Sequence, residues 1–128
     1  MSFFDKIFGG NSGGSKHESF WKEIQSEEDL EKAIESSYIK RVALFKHSTS
    51  CFISKTVLRN FEREVEEYTD LDTDFYYLDL LAHRNISSKI SDLFQIRHES
   101  PQLIVIENGK AVNNASHQHI SISQVTTQ

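Results

Sequence analysis

One cysteine, Cys51, and one proline, Pro101, occur in 128 residues. A single cysteine cannot close an internal disulfide, so a disulfide-stapled secreted scaffold is excluded. No apolar run approaches the roughly 20 residues that a membrane-spanning helix needs. An excess of positive charge is also missing. The formal net charge is −5 with histidine neutral, which offers nothing general to nucleic acid or to an anionic membrane surface. A phosphate-cradling loop is missing too: "GGNSGGSK" has no strand before it and no helix behind it. The opening "MSFFDKIFGG" is too short and too mixed for a secretory signal. These absences predict a cytoplasmic protein, in a reducing compartment that suits a free thiol.

What is present suits one soluble domain. Hydrophobic residues make up 38% and charged residues 26%, enough for one packed core. Residues 1–18 read as a flexible tail whose Gly/Ser-rich part is a linker. Phe3, Phe4, Ile7 and Phe8 have helical spacing and suggest a short docking segment. Residues 19–128 read as the folded domain.

Within it, "SFWKEI" is a short strand. "SEEDLEKAIESS" is a helix with Ser26 as its N-cap and acids in its first turn. "RVALFKH" is a buried strand. A second helix runs from about Cys51 to Tyr68, with Ile53, Val57, Leu58, Phe61 and Val65 inward and Arg59, Glu62, Glu66 and Glu67 mostly outward. "DFYYLDL" is a strand. "ISSKISDLF" is a helix with an inner stripe of Ile86, Ile90, Leu93 and Phe94. "QLIVIENGKAVNNAS" is a hairpin turning at Asn108-Gly109, and a last short helix follows. The order β-α-β-α-β-α-β-β-α predicts an α/β fold. Its central sheet is mixed, with parallel strands plus a C-terminal antiparallel hairpin, and helices flank both faces.

Cys51 falls where a buried strand gives way to a helix. The first N–H groups of a helix lack intrahelical partners, and the positive end of the dipole lies there. A thiolate is stabilised at such a point. Ser54 stands one turn on, where a dithiol enzyme would carry its second cysteine. Its hydroxyl is placed to donate to the sulfur, but it cannot form a disulfide. The chemistry expected is exchange through one sulfur, resolved by an outside thiol. The competing reading is a small buried hydrophobe. Ser48, Thr49 and Ser50 are loop and capping residues, which favours an exposed helix end. Pro101 opens a strand that should lie beside the one feeding Cys51. A cis Ser100–Pro101 bond would turn the backbone of Ser100 toward the thiol; an ordinary trans proline is the alternative.

A β-α-β unit with Cys-x-x-Ser at the helix start and a lone proline before a hairpin resembles the thioredoxin superfamily. More narrowly, "FKHSTSCFIS", "YYLDLLAHRNISSKISDLFQIRHESPQLIVIENGKAV" and "NASHQHI" resemble the YtxJ family, the monothiol bacilliredoxin-like proteins of the bacillithiol system. The resemblance spans roughly Trp21 to Ile122. It implies a thioredoxin-like fold, Cys51 as nucleophile, Ser54 in the resolving position and Pro101 as a cis proline. It also implies that Ser100 offers backbone hydrogen bonds to the bound thiol or peptide. The activity implied is removal of bacillithiol from protein mixed disulfides, with a free low-molecular-weight thiol as co-substrate and no tightly bound cofactor. The partners implied are S-thiolated proteins. Phe52 departs from the family pattern, which has a small residue or proline there.

Ser50, Phe52, Ser100, His47 and Arg97 are the further candidates for contacting the thiol or its protein. As an imidazolium, His47 would lower the thiol pKa or donate a proton. Arg97 and His98 lie near Pro101 and could meet an anionic group. His117 and His119 form His-x-His, which could chelate zinc from one face of a strand, but no further ligand has suitable spacing; no metal site is assigned. Two other functions stay open: a non-catalytic binding module that uses Phe52 and the proline loop, and a thiol redox sensor.

Overall fold

The structure is a computed structural model and describes residues 20–68 and 71–126. The tail and linker expected over residues 1–18, and the boundary at residue 19, lie outside the described residues.

The elements follow the predicted order. They are β1 (Trp21–Glu23), α1 (Glu27–Ser36), β2 (Arg41–His47), α2 (Phe52–Glu66), β3 (Thr73–Asp79), α3 (Arg84–Phe94), β4 (Gln102–Glu107), β5 (Lys110–Ser116) and α4 (Ser123–Thr126). A 3₁₀ turn at His117–His119 joins β5 to α4. One five-stranded sheet has the order β1-β3-β2-β4-β5. The β1–β3 and β2–β3 pairs are parallel; β2–β4 and β4–β5 are antiparallel. The mixed sheet is therefore as expected, with β2 at its centre.

Position in the sheet explains the sequence of β2. A central strand covered on both faces reads as a continuous apolar run rather than an alternation. Val42 and Leu44 face the core under α1 and α3, where they share a cluster with Leu30, Ile86, Ile90 and Ile104. Ala43 and Phe45 face the core under α2 and α4, with Val57, Phe61, Leu103 and Val125. Ser26 caps α1 as predicted: its hydroxyl accepts the Asp29 N–H at 3.1 Å. Asn108 and Gly109 both take positive φ, 53° and 77°, the backbone that a tight two-residue hairpin turn requires.

Three side chains depart from the expected faces. Ile53 and Leu93 are 48% and 50% exposed rather than buried. Glu62, expected outside, is 8% exposed; its Oε2 accepts the indole N–H of Trp21 at 2.7 Å. That bond joins β1 to α2, and helical spacing alone gives no sign of it.

Candidate active site

Strand register brings the two candidate loops together. The last β2–β4 pair is Lys46 with Gln102. One position further, at the same end of adjacent strands, come His47 and Pro101. The loop entering α2 and the loop entering β4 are thus neighbours.

Cys51 is the N-cap of α2, with extended backbone and no side-chain capping bond. The chain reaches it through a tight turn in which the Cys51 N–H bonds to the Ser48 carbonyl at 3.2 Å. Cys51 is a free, partly exposed cysteine. With no side chain capping the helix, its first-turn N–H groups are left to the sulfur or to a bound atom. Phe52 follows at 79% exposure, so its ring stands in solvent beside the thiol.

Ser54 differs from expectation. It is fully buried, and its hydroxyl lies 2.8 Å from His47 Nδ1 while accepting the Ser48 N–H at 3.1 Å. Its hydroxyl serves these two groups, not the Cys51 sulfur. With the oxygen accepting from Ser48, the hydroxyl still has a proton and a second lone pair, so it donates to His47 Nδ1 in one ring tautomer and accepts from it in the other.

His47 is buried, and burial pushes its pKa below the ordinary histidine value; Asp79 pulls it up and Lys55 pushes it further down. The net direction keeps the imidazole neutral near neutral pH. The imidazolium expected beside Cys51 is therefore not its resting form. His47 also lines a cavity of about 490 Å³ between β1, β3 and α2, together with Trp21, Tyr77, Leu58 and Glu62.

The second loop holds the other candidates. The Ser100–Pro101 bond is cis. Pro101 is buried, and its carbonyl accepts the His117 N–H at 3.0 Å. Ser100 is half-buried; its Oγ is enclosed without a hydrogen-bond partner among the described residues. Arg97 is exposed, and its carbonyl accepts from Gln102 Nε2 at 3.0 Å. Ser50 is exposed, with its hydroxyl 3.5 Å from that of Ser48. His117 and His119 sit in a 3₁₀ turn rather than on a strand, which removes the shared face that the chelation reading needed. Among the described residues, no group of three or more histidine, cysteine or acidic side chains could hold a metal ion.

Sequence reading overlooked Lys46, which is fully enclosed. Its signal was available: a lysine inside an otherwise apolar strand, one position from the strand end.

The fold and the cysteine at a helix start define a thiol redox protein of the thioredoxin class. A solved protein provisionally described as an oxidoreductase with a thioredoxin fold is 31% identical, with a TM-score of 0.73, over 84% of this chain and 92% of that one. Thioredoxin from Schistosoma mansoni is 25% identical, with a TM-score of 0.63, over 78% of this chain and 85% of its own. Fasciola hepatica thioredoxin, 18% identical with a TM-score of 0.63 over 76% of this chain and 86% of its own, shares the fold. Within that class the chain belongs to the monothiol bacilliredoxin BrxC family, whose description matches residues 22–125.

Proposed function

We propose that the chain removes bacillithiol from protein mixed disulfides, with Cys51 as the sole nucleophile. The Cys51 thiolate attacks the bacillithiol sulfur, the protein thiolate leaves, and a new disulfide joins Cys51 to bacillithiol. A free bacillithiol thiolate then attacks that disulfide. Cys51 leaves as thiolate, and oxidised bacillithiol disulfide is the second product. Each step exchanges one sulfur–sulfur bond for another, with no net redox change inside the protein.

One observation carries this reading: a partly exposed cysteine on an uncapped helix start, with a buried serine where a resolving sulfur would stand. Ser54 cannot resolve the mixed disulfide, so an outside thiol is required. Pro101 and Ser100 form the opposite wall, and Ser50, Phe52 and Arg97 are the exposed groups that would meet the thiol or its protein. His47 lies beneath, bonded to Ser54, which in turn holds the Ser48 N–H of the loop that leads to Cys51. The setting is a reducing cytoplasm; no helix among the described residues is long and apolar enough to cross a membrane.

The test is a transfer assay. A bacillithiolated protein and a glutathionylated one are each mixed with the chain, and Cys51 is followed by mass spectrometry. Bacillithiol should move to Cys51 faster than glutathione, and Cys51→Ser should fold normally and transfer nothing. Transfer by Cys51→Ser, or none from either substrate to an alkylatable Cys51, would sink the proposal. The second result would point to a binding module built on Phe52.

A further inference from the structure

Lys46 and Gln102 are opposite each other in the β2–β4 ladder, so their side chains share a face of the sheet. Both are enclosed, at 0% and 2% exposure. Together they grip the loop of residues 95–101, which joins α3 to β4 and ends at Pro101. Gln102 Nε2 donates to the Arg97 carbonyl at 3.0 Å, and Gln102 Oε1 accepts the Glu99 N–H at 3.4 Å. Lys46 holds the residue between them: its Nζ lies 3.3 Å from His98 Nδ1. Its other contacts are on α3, the Ser87 carbonyl at 3.1 Å and the Ser91 hydroxyl at 3.1 Å.

An ammonium has three N–H donors and no acceptor. Three acceptors surround this one, so every donor is used. For His98 Nδ1 to accept, its ring proton must lie on Nε2; Nδ1 is also 3.3 Å from the Ser87 hydroxyl. No carboxylate pairs with Lys46 among the described residues. Burying an amine here is unfavourable, and an apolar side chain of similar length would fill the space without that cost. What the apolar side chain would lack is the set of directional bonds that tie β2, α3 and the loop together.

We propose that Lys46 is a positioning residue for the reaction at Cys51: its ammonium fixes the 95–101 loop, and with it Ser100 and Pro101, against the strand that delivers the cysteine. This deepens the thiol-transfer reading and rests on it. Lys46 does not touch the sulfur. It limits how far the opposite wall can drift while an incoming disulfide aligns with the thiolate, and such alignment governs rate steeply.

Two variants test this: Lys46→Met, which keeps the length and removes the donors, and His98→Ala, which removes only the loop end of the clamp at an exposed residue. Hydrogen exchange of amides 95–100, the last before the proline that has no N–H, reads the clamp directly, whether or not the chain transfers thiols. In Lys46→Met, exchange there should rise about tenfold or more while α2 stays protected. Transfer from a mixed disulfide should fall about tenfold or more. Alkylation of Cys51 by iodoacetamide, which needs no opposing wall, should stay within about twofold. His98→Ala should give the same pattern more weakly, and it decides the matter if Lys46→Met does not fold. Unchanged loop exchange in the folded variants overturns the proposal. So does a fall in transfer matched by an equal fall in alkylation, or normal transfer despite a loosened loop. If the unmodified chain transfers nothing, the thiol-transfer reading fails, and loop exchange alone judges the clamp.

Discussion

Ser54 occupies the place of a second thiol, yet its hydroxyl works inward, between the Ser48 N–H and His47 Nδ1. Ser54→Ala therefore leaves two buried groups without their shared partner. A buried polar group left unsatisfied costs about 1–3 kcal/mol, so denaturant unfolding should show a loss in that range. Transfer should slow only modestly, because the sulfur keeps its helix-end environment. A fall in rate as large as that of Cys51→Ser, with stability unchanged, would put Ser54 in direct contact with the reaction. That Cys51 opens a helix, with Ser54 one turn on and Pro101 just ahead of a strand, was legible in the sequence, because order along one chain defines it. The partner of Ser54 was not. It depends on which way a side chain turns beneath the helix, and His47 lies seven positions away on a neighbouring element. Glu62 was misread for a similar reason: its partner Trp21 is 41 residues away.

Among the elements, β2 and the β4–β5 hairpin were the most legible. A run such as "RVALFKH" has few uses other than a central strand, and Asn-Gly between two strands has few uses other than a tight turn. The outer faces of α2 and α3 were harder. An apolar residue at the right helical spacing is expected inside, but Ile53 in the first turn of α2 and Leu93 in the last turn of α3 are half exposed. The hairpin allows a sharp prediction. A Cβ on Gly109 would collide with the Tyr38 hydroxyl and come within 2.9 Å of the ring carbon that carries it. Its φ of 77° also disfavours any side chain. Gly109→Ala should cost about 1–2 kcal/mol from the backbone alone, and more if Tyr38 cannot swing outward. Pairing it with Tyr38→Ala should recover the steric part and leave the backbone part, as thermal melts of the two single variants and the double variant would reveal. At the N-terminus of α1, Ser26→Ala should cost about 1 kcal/mol and Ser26→Asp close to nothing, read by the same melts.

For the molecule as a whole, three basic groups among the described residues have pKa values lowered by burial, and each links stability to pH. Burial lowers the pKa of His47, His98 and Lys46, the last to about 8 from an ordinary 10.5. His98 also meets Lys46 and Arg84, which push the same way, and Glu99, which pulls back. In each case the unfolded chain holds the proton more readily than the folded one. Stability rises with pH wherever the unfolded state binds more protons. For the two histidines that window runs from the ordinary value of 6.5 down to their folded pKa values, so acidification across it should destabilise the fold. For Lys46 the window runs from about 8 to 10.5, and stability should climb there by at most about 3 kcal/mol. The clamp behaves in the opposite sense. As Lys46 loses its proton it loses one of its three donors, so the 95–101 loop should loosen while the whole chain becomes harder to unfold. Urea unfolding at a series of pH values, with hydrogen exchange of that loop beside it, separates the two trends. Lys46→Met should flatten the alkaline limb of the unfolding curve and, with loop exchange referred to that of an unstructured peptide at the same pH, remove the alkaline rise in loop opening; an alkaline limb that survives the substitution would belong to another group.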